Sequence, residues 1–504
     1  MNQKMKTLKS KTAITAVQVV KDTIVIILNL FIIFGIYIGS VALNATKPSA
    51  TPFYDYFRGS GDFIYLVLST GLFISILMLC MYFDDKTFFK ESKNLEMLFI
   101  LIEITLIICC LIGRYLNVYL RPIALVSLLA VQFFGKRSAV YVTLISTLLV
   151  FLTDLFTNTI WLPNDPDLYA SLFMGYSTAI LAIYLIGDVS ERLKAILRSV
   201  VLGIVNVLCF LILKNFDILS DIPGLICAAV SGILAVGVHM VLLPIFEALF
   251  RKLTTYKLAE LTSHSSPLVR KLIDDAPGTF NHSIVVANLA EACAIAIGED
   301  SLLARTCAYY HDIGKLRDPE FFKENQDVHN VHDEILPELS ASIIKSHAKD
   351  GYELLTRRRY PKEIANVCLE HHGTMPIMYF YAKAKKFSDT EVNIEHFCYP
   401  GPKPQTKISA IIMIADGAEA AIRSLKDRTR ESAYNVIDKI IDDRMRLGQF
   451  DECPITSRDL NIIRHVLVNN LTGIYHNRVQ YPKVDIESIA SQTDVHQMYE
   501  DEEE

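Results

Sequence analysis

The chain has 504 residues, of which 51% are hydrophobic and only 21% are charged, and its mean hydropathy is +0.31. The high hydrophobic content excludes a disordered chain. Soluble proteins are closer to a quarter charged, so these values also argue against an ordinary cytosolic enzyme. The net charge of -6 gives no indication of binding to a nucleic-acid polymer. The 10 cysteines are scattered and form no C-x-x-C pair, which argues against a disulfide framework or a structural zinc site.

The first half of the chain is a series of apolar segments, each of about 18 to 29 residues and therefore long enough to cross a bilayer as a helix. They are 22–43, 63–83, 96–113, 116–134, 139–161, 168–187, 195–214 and 222–250. We interpret 22–43 as an uncleaved N-terminal anchor, because its apolar core is longer than that of a signal peptide. The stretch 63–250 is then predicted to be a seven-helix transmembrane domain, with a short extracytoplasmic loop at 44–62.

The basic residues between these segments predict the orientation of the protein. Lysine and arginine are concentrated in the N-terminal segment 1–21, in alternate breaks and directly after 250, whereas the breaks at 162–167 and 215–221 contain none. By the positive-inside rule, both termini and the second half of the chain are cytoplasmic, and the protein is a multi-pass protein of the plasma membrane. Arg114 and Arg121 would lie on the outer side, where we expect them to snorkel to the interface; the alternative is that Arg121 faces a polar cavity.

The second half of the chain is polar with helical periodicity, so the predicted fold class is all-α: a polytopic transmembrane bundle followed by an all-helical cytoplasmic domain. It ends in an acidic tail, 483–504, and it contains 12 of the 13 histidines. Histidine is the commonest side-chain metal ligand. Seven side chains at helix ends or on apolar helices are candidate ligands: His282, His311, Asp312, His347, His371, His372 and Asp416.

Asp416 is the most informative of these candidates, because it follows the apolar run 411–415 inside a predicted helix. A charged carboxylate there is costly unless it is paired or bound to a cation. The set of imidazole and carboxylate groups fits a centre with two metal ions better than one. Without a thiolate, such a set suits Mn or Fe at least as well as Zn.

The sequence around these candidates resembles the seven-transmembrane HD family of metal-dependent phosphohydrolases. The resemblance rests on five segments: 276–283 (APGTFNHS), 309–315 (YYHDIGK), 346–351 (SHAKDG), 371–374 (HHGT) and 399–407 (YPGPKPQTK). The chain departs from the family pattern in three ways. It lacks the usual large extracytoplasmic domain, Asn281 replaces a second histidine of many relatives, and 330–333 reads NVHD instead of Asn-Pro-His-Asp. We expect His329 and His332 to lie on a surface loop, and the alternative is that they form a lid over the substrate.

The resemblance implies a membrane-bound phosphodiesterase that opens cyclic di-AMP to linear pApA with two divalent cations, its catalytic domain occupying 251–482. One cation would take His282, His311, Asp312 and Asp416, and the other would take Asp312, His347, His371 and His372, so that Asp312 bridges them. Such cations polarise the phosphate and activate a water for in-line displacement. Lys315 is expected to neutralise charge on the phosphoryl group. Lys403 is expected to contact the substrate.

Other functions remain open at this point. Another HD phosphohydrolase would act on cyclic di-GMP or guanosine tetraphosphate, but 373–377 lacks the Gly-Tyr-Pro element of the cyclic di-GMP branch. A membrane receptor would bind a nucleotide without cleaving it, and the complete ligand set argues against that reading. A transporter would need more intramembrane charges than Glu103, Asp154 and Glu247. Whether the chain forms a homodimer is left open.

Overall fold

The computed structural model describes residues 16–44, 60–84, 88–90, 92–156, 166–189, 191–326, 330–388, 391–425 and 429–474. These residues are almost entirely helical and contain no β-strand beyond a single bridge between Pro376 and Cys398. The predicted all-α class is therefore confirmed. The chain divides into two compact units, Met1–Ser263 and His264–Glu504. The predicted loop at 44–62 and the tail at 483–504 lie almost wholly outside the described residues.

The first unit is built from long apolar helices. They are α1 (Ala16–Asn44), α2 (Ser60–Asp84), α3 (Ser92–Tyr115), α4 (Ala124–Phe156), α5 (Ala170–Met174), α6 (Ile180–Leu185), α7 (Arg192–Leu213), α8 (Ile222–Phe250) and α9 (Thr255–Leu261). A π-helical turn, Gly175–Ala179, joins α5 and α6 into one continuous segment. Tyr256 on α9 packs against the apolar cluster that contains Phe246 and Phe250, so this unit extends beyond the predicted boundary at residue 250.

Helix α4 folds back on itself at Gly135, whose backbone has φ 79° and ψ 172°. A residue with a side chain rarely adopts such a positive φ, and glycine removes that restriction. The hydroxyl of Thr143 donates to the hydroxyl of Ser127 at 3.0 Å. In a straight helix these residues would lie about 24 Å apart. The contact shows that α4 is two antiparallel helices, in agreement with the separate predicted segments 116–134 and 139–161.

Eight helical stretches of the described residues are long and apolar enough to cross a membrane, and seven of them lie in the first unit. The stretch Val118–Leu155 counts once although it holds the two antiparallel halves of α4. The first unit therefore contains the predicted number of apolar helical segments. The remaining stretch, Pro277–Ile297, belongs to the second unit and carries His282 on its buried face. Its apolar residues pack against other helices of the second unit. The chain is a membrane protein by virtue of its first unit.

The expectation that Arg121 snorkels to the interface is wrong. Its side chain is only 6% exposed, and the guanidinium binds both carboxylate oxygens of Asp154 at 2.5 and 2.7 Å. Ser171 and the carbonyl of Cys109 complete the hydrogen bonds of this pair. The sequence does not predict the pairing, because Asp154 lies 33 residues away in the second half of α4, whereas Arg121 precedes the first half.

The second unit is a compact bundle of shorter helices. They are α10 (Pro267–Asp275), α11 (Pro277–Ile297), α12 (Ser301–Tyr310), α13 (Pro337–Arg357), α14 (Lys362–Glu370), α15 (Met378–Phe387), α16 (Lys407–Ser424), α17 (Arg430–Arg446) and α18 (Ser457–Ile474). Helix α11 packs against α12, α16 and α18 at the centre of the unit. The apolar faces of α12, α14 and α16 are buried next to it, and this packing brings distant polar positions together.

Candidate metal centre

The seven candidate ligands converge from five separate places in the second unit. His282 lies in the second turn of α11, His347 lies within α13, and Asp416 lies within α16. The pairs His311–Asp312 and His371–His372 directly follow the ends of α12 and α14. The chain leaves the helical path at these ends, so adjacent residues can point to different parts of one site.

The seven side chains form two groups. In one group, the ligating atoms of Asp312, His347, His371 and His372 all lie within 4.8 Å of one another. In the other group, the ligating atoms of His282, His311 and Asp416 also lie within 4.8 Å of one another.

Asp312 lies between the two groups and turns one oxygen to each. Its Oδ1 is 3.2 Å from Nε2 of His347 and 3.6 Å from Nε2 of His371. Its Oδ2 is 3.3 Å from Nε2 of His311 and 3.8 Å from Nε2 of His282. A carboxylate in this position is suited to bridge two cations.

Hydrogen bonds at Nδ1 fix the orientation of the ring in four of the five histidines. The Nδ1–H groups of His311, His347 and His371 donate to backbone carbonyls of their own helices, at 2.7, 2.6 and 3.0 Å. A carbonyl only accepts, so the proton of the neutral ring resides on Nδ1 and the Nε2 lone pair faces the centre. This is the arrangement found around metal-ligating histidines.

His282 differs because a carboxylate orients it. Its Nδ1 lies 2.6 Å from Oε2 of Glu419, and its Nε2 lies 3.0 Å from Oδ1 of Asp416. Burial disfavours the charged ring, but these two carboxylates outweigh it and raise the pKa of His282 to about 10. Glu419 was missed at the sequence level, although its spacing of three residues from Asp416 puts both on one helix face.

Lys315 is the cation nearest to Asp312. Its Nζ lies 2.7 Å from Oδ2 of Asp312 and 2.6 Å from Oε1 of Glu324, and it stacks over the ring of Phe322. Burial opposes ionisation of Asp312, yet the charge of Lys315 holds the pKa of Asp312 well below the usual range. The same contacts with Asp312 and Glu324 raise the pKa of Lys315 despite its burial. Nothing in the sequence indicates Glu324 as its partner.

Several buried atoms at the centre have no hydrogen-bond partner among the described residues. They include Nε2 of His311 and Oδ1 of Asp312. Unsatisfied buried polar atoms are rare in folded proteins and call for an explanation such as an ion. Together with a donor set of imidazole and carboxylate groups, they indicate a divalent-metal site.

The centre is accessible from one side. The side chains of His372 and Asp416 are 25% and 16% exposed, whereas those of the other five ligands are at most 4% exposed. The ring of Tyr399, from the proline-rich loop, stacks on His372 with a centroid distance of 4.3 Å. The centre therefore opens to solvent at His372 and Asp416.

The remaining predicted residues lie around this opening or away from it. Lys403 is 24% exposed and lies 3.5 Å from Asp451, while Gln449 fixes the turn after His372 by accepting from the backbone of Thr374 at 2.9 Å. The expectation of a surface position for His332 is wrong, because its ring is buried between Phe321 and Phe380. His329 lies outside the described residues.

Comparison with known proteins matches both units of the chain to family models. Residues 62–254 match the model described as "7TM receptor with intracellular HD hydrolase", and residues 279–421 match the HD domain. The cyclic-di-AMP phosphodiesterase PgpH of Listeria monocytogenes is 43% identical over 336 residues, which is 65% of this chain and 46% of the relative. The protein of the same name from Bacillus subtilis is 35% identical over 437 residues, 83% of this chain and 60% of the relative.

This chain thus spans about half the length of the first of these curated relatives and 60% of the second. A crystal structure of the Listeria monocytogenes PgpH HD domain in complex with cyclic di-AMP is 50% identical in sequence. The match covers 43% of this chain and 100% of the crystallised HD domain, with a TM-score of 0.41. The two family models match in the order of the two units described above. Both units of the chain therefore match the family of seven-transmembrane proteins that carry an HD hydrolase domain.

Proposed function

We propose that this protein is a membrane-bound, metal-dependent phosphodiesterase that hydrolyses cyclic di-AMP to linear pApA and so controls the level of this second messenger. The observation that carries the proposal is the pair of ligand groups joined by the two oxygens of Asp312. Curated cyclic-di-AMP phosphodiesterases at 43% and 35% identity support the choice of substrate.

The ligand sets follow from the two groups. We assign His282, His311, Asp312 and Asp416 to one cation and Asp312, His347, His371 and His372 to the other. Manganese or iron is proposed as the metal, because neither set contains a thiolate. When bound, two such cations stabilise charge on the phosphate and lower the pKa of an attacking water. The backbone carbonyls and Glu419 keep the imidazole rings pointed at this position.

Hydrolysis adds one water across one P–O3′ bond and leaves a 5′-phosphate and a free 3′-hydroxyl. The opening over His372 and Asp416 admits the phosphodiester, and the stacked ring of Tyr399 forms one wall of this opening. Lys315 is held by Asp312 and Glu324 at 2.7 and 2.6 Å. We propose that its ammonium offsets negative charge as the phosphoryl group reacts.

The full-length protein, purified in detergent and supplied with Mn²⁺, is expected to convert cyclic di-AMP to pApA. Cyclic di-GMP and pApA should be offered in parallel, with the products separated by chromatography. Faster turnover of cyclic di-GMP would defeat the adenine assignment. No turnover of any dinucleotide, in protein that retains bound manganese, would instead support a receptor that binds without cleaving.

We also propose that the second unit and both termini are cytoplasmic. The first unit contains an even number of apolar helical segments, and the basic residues of the sequence fall on alternate breaks. Reporter fusions at residue 90 and after residue 254 are expected to give the same cytoplasmic signal. An external signal from either fusion would contradict both the orientation and the number of crossings.

A further inference from the structure

Arg444 is a half-buried arginine in the last turn of α17 that forms no ion pair with a carboxylate of the described residues. Its Nη1 donates to the carbonyl of Ile440 at 3.2 Å, but its buried Nε has no hydrogen-bond partner there. A guanidinium carries five N–H donors, so most of its hydrogen-bonding capacity is unused. Arg446, two residues later, is 78% exposed and pairs with Asp442 in the ordinary way.

The guanidinium of Arg444 is packed on the backbone of α16 at Gly417, the residue that follows Asp416. A methyl group placed on Gly417 would lie only 2.3 Å from Nη2 of Arg444, so the guanidinium occupies space that glycine alone leaves free. Burial lowers the pKa of Arg444, and the charges of Asp416 and Asp443 only partly offset this effect. Arginine nevertheless stays protonated in proteins. A positive charge that forms no ion pair with the described residues therefore lies against the residue that follows a candidate metal ligand.

The residue that Arg444 contacts, Gly417, adjoins one of the two exposed ligands. Asp416 and His372 are the exposed ligands, and Gly417 follows Asp416 on the same helix. Lys403 contributes a second positive charge nearby, because its Nζ lies 3.3 Å from the position of a methyl group on Gly448, one turn beyond Arg444. Lys403 is only weakly neutralised by Asp451, which is 71% exposed and 3.5 Å away. Two cations without a strong ion pair among the described residues therefore lie against Gly417 and Gly448.

We propose that Arg444 is a phosphate-binding residue of the metal centre, with its guanidinium donating to a non-bridging oxygen of the phosphodiester that enters over Asp416 and His372. Lys403 acts as a second and more distant cation at the same opening. The proposal deepens the phosphodiesterase function proposed above and rests on it. The planar fork of arginine matches the geometry of phosphate oxygens, which explains the use of arginine here. The HD match ends at residue 421, so this residue lies beyond the matched domain.

The test uses the full-length, manganese-loaded protein and inorganic phosphate as the probe, with binding measured by calorimetry and by the manganese EPR spectrum. Arg444→Gln is expected to weaken phosphate binding by about tenfold or more, as for the loss of a hydrogen bond to a charged group. Arg444→Lys should lose less of the affinity for phosphate, because lysine keeps the positive charge. The matched control Arg446→Gln should bind phosphate like the unchanged protein, and manganese content should stay the same in all variants.

Gly417→Ala provides a second, independent variant. Alanine favours the helix, but its methyl group has to displace the guanidinium of Arg444. We expect it to weaken phosphate binding in the same direction as Arg444→Gln while the protein keeps its fold and its manganese. Undiminished phosphate binding by Arg444→Gln, or a loss that merely parallels a loss of manganese, would overturn the proposal. If the unchanged protein cleaves no cyclic dinucleotide but the phosphate results hold, the proposed function fails and the assignment of Arg444 stands.

Discussion

Replacing Asp312 with alanine is expected to remove both bound cations, or leave them weakly held, and to lower turnover of cyclic di-AMP by several orders of magnitude. Among the described residues, Asp312 is the one side chain whose two oxygens face both ligand groups, toward His347 through Oδ1 and toward His311 through Oδ2. The loss of a general acid or base alone typically costs about 10²–10⁴-fold. Removal of a bridging ligand should exceed that range, because it disturbs both cations at once.

The Asp312→Ala protein should still fold, because α11, α12 and α16 bury their own apolar faces around the site. Metal analysis together with circular dichroism measures both parts of the expectation. Asp333→Ala is a suitable control, since this carboxylate is 63% exposed and pairs with Lys383 away from the ligand groups. Two equivalents of metal and near-full activity in Asp312→Ala would show that the bridging role and the two-cation mechanism are both wrong.

The sequence predicts the helices and most candidate ligands because these depend on local patterns. Apolar runs of bilayer length identify the helices of the first unit, and His311–Asp312 and His371–His372 stand out as polar pairs at helix ends. Asp416 is evident for a related reason, because a carboxylate inside an apolar helix requires a partner. In each case the signal lies within a few residues of the position itself.

The residues that support these ligands have no such signal. Glu324 meets Lys315 only because the segment after α12 folds back over the site, and Gln449 reaches the turn after His372 from 75 residues away. Arg444 is an ordinary arginine of an amphipathic helix until its contact with Gly417 is seen. Their roles depend on how α16 and α17 pack, and a single sequence does not specify that packing through any periodicity.

The Arg121–Asp154 pair is another contact that the sequence does not predict. Its disruption is expected to lower the thermal stability of the protein strongly. Asp154→Asn leaves a guanidinium that is only 6% exposed without a counter-charge in a unit assigned to the membrane. Breaking a buried ion pair by removing one partner costs about 3–5 kcal/mol. For a unit of this size, such a loss lowers the midpoint of thermal unfolding by on the order of 10 °C. Thermal unfolding of the full-length protein in detergent measures this shift.

The matched control is Asp188→Asn, which removes the partner of Lys136 from an ion pair whose side chains are 42% and 69% exposed. Exposed pairs contribute little to stability, so its midpoint should stay close to that of the unchanged protein. A double variant, Arg121→Met with Asp154→Leu, should recover much of the loss, because it removes both buried charges and keeps apolar volume. Equal midpoints for Asp154→Asn and Asp188→Asn would mean that the buried pair does not hold the α4 hairpin in place, and its role would then have to be sought in function rather than stability.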